Sequence, residues 1–104
     1  MFEAQDTRLS CRHCGKNNAT PELCAALNAL SLYLGFEPQI SSGTRCESHN
    51  RAVGGAPHSR HLSGRAVDIT GPPKLLEQVA ALALKAGFAR ALPNYKRLYI
   101  HLDL

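Results

Sequence analysis

At 104 residues the chain is long enough for one domain, 1–104, and too short for two, and folding would bury about two-thirds of the surface its unfolded form exposes. An apolar fraction of 44% with 19% charged residues is that of a soluble globular protein, and no apolar run approaches the roughly 20 residues a bilayer-spanning helix needs, which argues against membrane insertion. The net charge of +4 is scattered along the chain, so it offers an anionic partner a basic surface but no stripe for nucleic acid.

Residues 1–19 are polar and lack sustained periodicity, which predicts an irregular N-terminal arm. Its start, Met1-Phe2-Glu3-Ala4-Gln5-Asp6, has neither a basic n-region nor an apolar h-region, so no secretion signal is visible and synthesis in the cytoplasm is expected. Within the arm, Cys11-Arg12-His13-Cys14 is a C-x-x-C pair. We favour a local structural role for it, as a disulfide or reduced pair bracing the arm; a second metal site would need Cys46 or a histidine as further ligands, since no second C-x-x-C exists. Thr20 then caps a helix with Pro21 at its first position and Glu22 in its first turn. Leu23, Leu27, Leu30 and Leu34 recur on one face, Gly35 ends the helix, and Cys24 reads as a small buried hydrophobe beside the stripe.

Pro38 to Ser42 predicts a short strand, and residues 43–57 a polar, Gly-rich surface loop of the kind that carries function. Arg65 to Thr70 predicts a second strand, with Ala66, Asp68 and Thr70 on one face and Arg65, Val67 and Ile69 on the other. After it, Gly71-Pro72-Pro73 starts a helix whose buried face is marked by Leu75, Val79, Leu82 and Ala86, and Gly87 stops it. Phe88 to Lys96 reads as a connector. The chain closes on Leu98 to Leu104, a strict alternation that sets Leu98, Ile100, Leu102 and Leu104 against Tyr99, His101 and Asp103. This order gives an α+β domain with helices packed on one face of a small antiparallel or mixed sheet.

The chemistry gathers on the polar face of these strands. His61 precedes the strand bearing Asp68, and Gly64 between them lets the backbone turn and bring the imidazole over the carboxylate. On spacing alone this pair reads equally as a surface His and a turn Asp; a third ligand decides. If the last strand pairs beside the Asp68 strand with both apolar faces in one core, His101 meets Asp68 on the other side. Two histidines and one aspartate suit a zinc ion and leave a fourth position open, the pattern of a catalytic site.

The segment Ser59-x-His61-x-x-Gly64-x-Ala66-x-Asp68, followed by a late His in a short strand, resembles the signature of the zinc D-alanyl-D-alanine peptidases, the VanX- and VanY-type enzymes and their phage endolysin relatives. Upstream, Ser42-Gly43-Thr44-Arg45 followed by His49-Asn50 resembles the segment before the first zinc His in the bacterial and phage subgroup, with Thr44 where Tyr is usual. The resemblance covers the chain from about Cys11 onward. It implies one catalytic zinc ion held by His61, Asp68 and His101, with Arg45 and Ser59 binding substrate and Arg45 anchoring its carboxylate through paired hydrogen bonds. The general base of the VanX type is a Glu three residues before the last zinc His, and here that position is Leu98. Asp103 is the candidate instead, two residues from His101 on the same face and about 7 Å along the strand, or else it orients His101. His49 and Asn50 could order the loop internally, and His58 reads as a rim residue.

The function implied is hydrolysis of peptidoglycan stem peptides or crossbridges, as D,D-carboxypeptidase or murein endopeptidase, by a monomer of phage or bacterial origin acting on the cell wall. Gly64-Arg65-Ala66-Val67-Asp68-Ile69-Thr70 is also similar to a stretch of the hedgehog signalling domains, which share the zinc fold and use it for partner binding. A zinc-stabilised binding module without turnover is therefore the alternative, favoured by the missing upstream Glu.

Overall fold

The hydroxyl of Thr20 accepts the Leu23 N–H at 3.2 Å and Pro21 occupies the first turn, so helix α1 (Pro21–Leu34) begins and ends where its pattern requires, with Gly35 closing it. The computed structural model describes every residue, Met1–Leu104. Beyond α1 come strand β1 (Gln39–Ser42), helix α2 (Glu47–Ala52), strand β2 (Ala66–Thr70), helix α3 (Pro73–Ala86), and strands β3 (Arg90–Asn94) and β4 (Tyr99–Asp103). The four strands form one antiparallel sheet in the order β1-β2-β4-β3, as the α+β reading expects.

The central pair fixes the site. Strands β2 and β4 align Asp68 with His101 and Ala66 with Asp103, while Val67, Ile69, Ile100 and Leu102 turn to the opposite face and are fully buried. Leu23, Leu27 and Leu30 of α1 and Leu76, Val79 and Ala83 of α3 join these side chains in a single core cluster. One face of the sheet is thus covered, and the other is left to polar residues. Fully burying a side chain of this size stabilises the fold by roughly 1.5–3 kcal/mol, so this face decides the register of both strands.

Four local expectations are corrected. The buried stripe of α3 is Leu76, Val79, Ala83 and Ala86, with Leu75 and Leu82 only partly covered. Apolar residues occupy more than half of this helix's circumference, so spacing alone left the centre of the stripe free to rotate; small Ala83 and Ala86 sit in the contact. The loop 43–57 contains α2, whose N-cap is Cys46: its sulfur accepts the His49 N–H at 3.4 Å. The connector 88–96 contains β3. Pro93 is tolerated because β3 lies at the sheet edge, where a missing N–H costs no ladder bond. Leu98 is outside β4, at φ 57° and 43% exposed, so it ends the turn after Asn94 and contributes nothing to the core.

The arm 1–19 has one short 3₁₀ turn, Thr7–Leu9, yet it is pinned at Phe2 and Leu9. Phe2 and Leu9 are buried in the core, the Phe2 N–H donates to Asn28 Oδ1 at 2.6 Å, and Asn28 Nδ2 donates back to the Phe2 carbonyl at 2.9 Å. Thr44 donates its N–H to the Leu9 carbonyl at 2.9 Å, so the arm also braces the start of the 43–57 segment.

Candidate metal centre

Strand β2 presents Asp68 and strand β4 presents His101 across the central ladder, and the 59–65 turn delivers His61 over the same face. Gly64 adopts φ 70° there and lies so close to the Asn18 carbonyl that a Cβ would clash with its oxygen. His61 Nε2 is 3.2 Å and His101 Nδ1 3.1 Å from the same oxygen, Asp68 Oδ1. The three donor atoms lie within 4.8 Å of one another. Zinc bonds of about 2.0–2.2 Å in tetrahedral array set such ligands roughly 3.3 Å apart.

The outward ring nitrogens settle what faces inward. His61 Nδ1 is 2.7 Å from the Gly43 carbonyl, which can only accept, so Nδ1 carries the hydrogen and donates it. His101 Nε2 is 2.7 Å from Asp103 Oδ2 and donates likewise. In their neutral forms both rings therefore turn a lone pair towards an ionised carboxylate oxygen, three acceptors converging with no donor among them. A cation or a proton must lie between. Burial would raise the Asp68 carboxyl, but where protons rather than a cation lie between, hydrogen bonds from His101 and His61 outweigh it and hold the group well below the usual carboxylate range. The Asp68 hydrogen bond raises His101, against the opposing effect of burial. The residues present thus fit a zinc ion, and each imidazole already has the outer acceptor that fixes its tautomer.

The remaining candidates surround this centre. Arg45 Nη2 donates to the second oxygen of Asp68 at 3.2 Å, Nη1 makes a long 3.4 Å contact with Asn50 Oδ1, and Nε is buried without a partner. Asn50 is buried and donates to the Ala56 carbonyl at 2.8 Å, so it orders the loop internally. The Ser59 hydroxyl accepts the His61 N–H at 3.2 Å. Thr44 is buried, its hydroxyl accepting the Asn18 N–H at 2.9 Å. Asp103 has a side chain 1% exposed, and both its oxygens accept from Arg90, the shortest bond being 2.6 Å from Nη2. Burial opposes its ionisation, and the bonds from Arg90 and His101 overcome that and lower its pKa. An open cleft of about 990 Å³ lies over the centre, lined by Arg45, Arg60 and Arg90 along with exposed His58 and half-buried Ser59.

Sequence reasoning missed Arg90, Arg60 and the Gly43 carbonyl. Arg90 is aligned with Asp103 in the β3–β4 ladder, so recognising the edge strand would have found it. A second cluster lies apart from this centre. The sulfurs of Cys11, Cys14 and Cys46 lie within 4.8 Å of one another, and all are free thiols. Burial opposes ionisation of Cys11, but backbone N–H groups of Cys14, Cys46 and His13 aimed at its sulfur bring its pKa down to about 6. Cys24 is apart from them, buried in the core as expected.

A family model described as Peptidase M15 matches residues 2–103. No curated protein matches the chain. A match over nearly the whole chain, with His61, Asp68 and His101 converging on the open face of the sheet, shows that the chain belongs to the M15 family of zinc D-Ala-D-Ala peptidases.

Proposed function

We propose that the protein is a zinc peptidase that hydrolyses the peptides of peptidoglycan, acting on the cell wall. The observation that carries this reading is the convergence of His61 Nε2, Asp68 Oδ1 and His101 Nδ1 at the floor of an open, arginine-lined cleft. Three protein ligands leave a position for substrate or water, as catalytic zinc sites do. Bound there, zinc supplies Lewis-acid polarisation of the scissile carbonyl and a water of lowered pKa.

The chain's own residues do the rest. The Gly43 carbonyl and Asp103 hold the outward N–H protons of His61 and His101, which keeps the opposite nitrogens free to ligate. Arg45 neutralises the Asp68 oxygen that does not face the histidines. With Arg60 and Arg90 it also gives the cleft a positive field for a substrate carboxylate, the role proposed here for Arg45, while Ser59 holds the His61 turn and borders the substrate path. Of the two roles left open for Asp103, its hydrogen bonds support orienting His101: both oxygens are already engaged. In the reaction, the water oxygen joins the acyl carbon as the C–N bond breaks, and both of the water's protons pass to the leaving amine, which departs as an ammonium group beside the new carboxylate.

The second reading, a binding module of hedgehog-like fold, draws its support from Leu98 standing where the VanX-type base would be and from that engagement of Asp103. Mass spectrometry of purified peptidoglycan incubated with zinc-loaded protein separates the two. Chelator-sensitive release of D-alanine or of cut crosslinks, lost in His61→Ala, supports the peptidase, and the product identifies the bond. Folded, zinc-replete protein that yields no product from several wall types would leave the binding module.

A further inference from the structure

The Cys11-Arg12-His13-Cys14 turn lies on the arm, where the Cys11 N–H donates to the Lys16 carbonyl at 2.7 Å and the Gly15 N–H to the Cys11 carbonyl at 2.9 Å. The turn is therefore closed at both ends and holds its two sulfurs on one side of a fixed loop. Cys46, 32 positions beyond Cys14 in sequence, is brought to them as the N-cap of α2. Its N–H donates to Cys11 Sγ at 3.4 Å, and its own sulfur accepts the His49 N–H at 3.4 Å. Amide hydrogens aimed at sulfur favour the thiolate, the form that binds metal.

We propose that Cys11, Cys14, Cys46 and His49 bind a second zinc ion, a closed structural site separate from the His61, Asp68 and His101 centre. The ligands come as two halves, Cys11-x-x-Cys14 in the turn and Cys46-x-x-His49 at the start of a helix, the sequence arrangement of small structural zinc sites. His49 Nδ1 is 4.0 Å from Cys11 Sγ, close to the roughly 3.6 Å that a tetrahedral ion with one nitrogen and three sulfur ligands requires. His13 Nδ1 lies nearer a sulfur, 3.3 Å from Cys46 Sγ. It is on the exposed turn between two ligands, however, whereas His49 is half-buried and fixed on α2. A disulfide would join only two of the three sulfurs and leave the third beside it.

Such an ion would do for this small domain what disulfides do for secreted ones. It would join the arm to the residue next to Arg45, adding to the Thr44 to Leu9 bond, and so hold the substrate-side segment against the core.

Cobalt distinguishes the two sites, because only the proposed one has thiolate ligands. Protein purified under reducing conditions should hold two metal ions per chain by elemental analysis. Its cobalt form should show near-ultraviolet thiolate-to-cobalt charge transfer, retained in His61→Ala with one ion lost. Cys14→Ser, at an exposed side chain whose replacement disturbs no packing, should lose the charge-transfer band and one ion while keeping the His61 site. In His49→Ala a chelator should abolish the charge-transfer band, which wild type and His13→Ala should retain under the same treatment; the reverse pattern would overturn the assignment of His49. One ion per chain in the reduced wild type with no charge transfer, or an intact mass lighter by two hydrogens, would overturn the site itself.

Discussion

Asp103→Asn tests the division of labour in the metal centre. The substitution keeps an oxygen that can accept from His101 Nε2, now 2.7 Å away, but removes the negative charge that polarises the ring and pairs with Arg90. Arg90 is 58% exposed and returns to water, so its three hydrogen bonds to Asp103 are screened by solvent and their joint loss should cost about 1–2 kcal/mol. The larger effect falls on the metal. Outer partners of a ligating histidine are worth about 10–100-fold in affinity, or roughly 1.4–2.7 kcal/mol. Zinc affinity measured by competition with a chelating dye should weaken by that factor, while kcat at saturating zinc changes by less than about tenfold. Unchanged zinc affinity with kcat reduced by about 10²–10⁴ would refute this reasoning, because that is the cost of removing a proton-transfer group.

Gly64→Ala should destabilise the protein by about 3–6 kcal/mol. The left-handed backbone costs about 1–2, the displaced Thr20 to Gly64 hydrogen bond about 1, and the clash with the Asn18 carbonyl the remainder. Gly54→Ala, at φ 72° with nothing within 4 Å, should cost only about 1–2 kcal/mol; urea midpoints that did not separate the two would remove the contact from the account. Asp6 is held below its ordinary value of 3.8 chiefly by the Arg8 hydrogen bond, with burial opposing. Its contribution is therefore complete above that value and disappears as pH falls through the lower folded one, so Asp6→Asn should cost about 1 kcal/mol near neutrality and nothing in stronger acid, measured by denaturation across pH. Stripping the metal leaves acceptors facing one another, so zinc at about a thousand times its dissociation constant should add about 4 kcal/mol and raise Tm by on the order of 15 °C or more, with a smaller response in His61→Ala.

What was legible in the sequence follows from how each residue is held. Asp68 and His101 face each other because two apolar stripes, Val67 with Ile69 and Ile100 with Leu102, have to enter the same core. That requirement is written in the alternation of the residues themselves, and a slip of one position would turn both ligands inward. His61 was legible through its spacing and its resemblance, but its position depends on contacts no local pattern records: the Asn18 backbone under Gly64 and the Gly43 carbonyl at its ring. The edge strand was hidden by Pro93, and with it Arg90, the partner that makes Asp103 a buried anion. Helix α2 was hidden because a cysteine caps it. The same cap carries the third sulfur to Cys11 and Cys14, so the feature that obscured the secondary structure is the one that assembles the second cluster. Ligands on the central ladder are thus set by periodicity, whereas those on the loops are set by where the arm crosses residues 43–46. A change at that crossing should disturb His61, Arg45 and Cys46 together while leaving Asp68 and His101 in register.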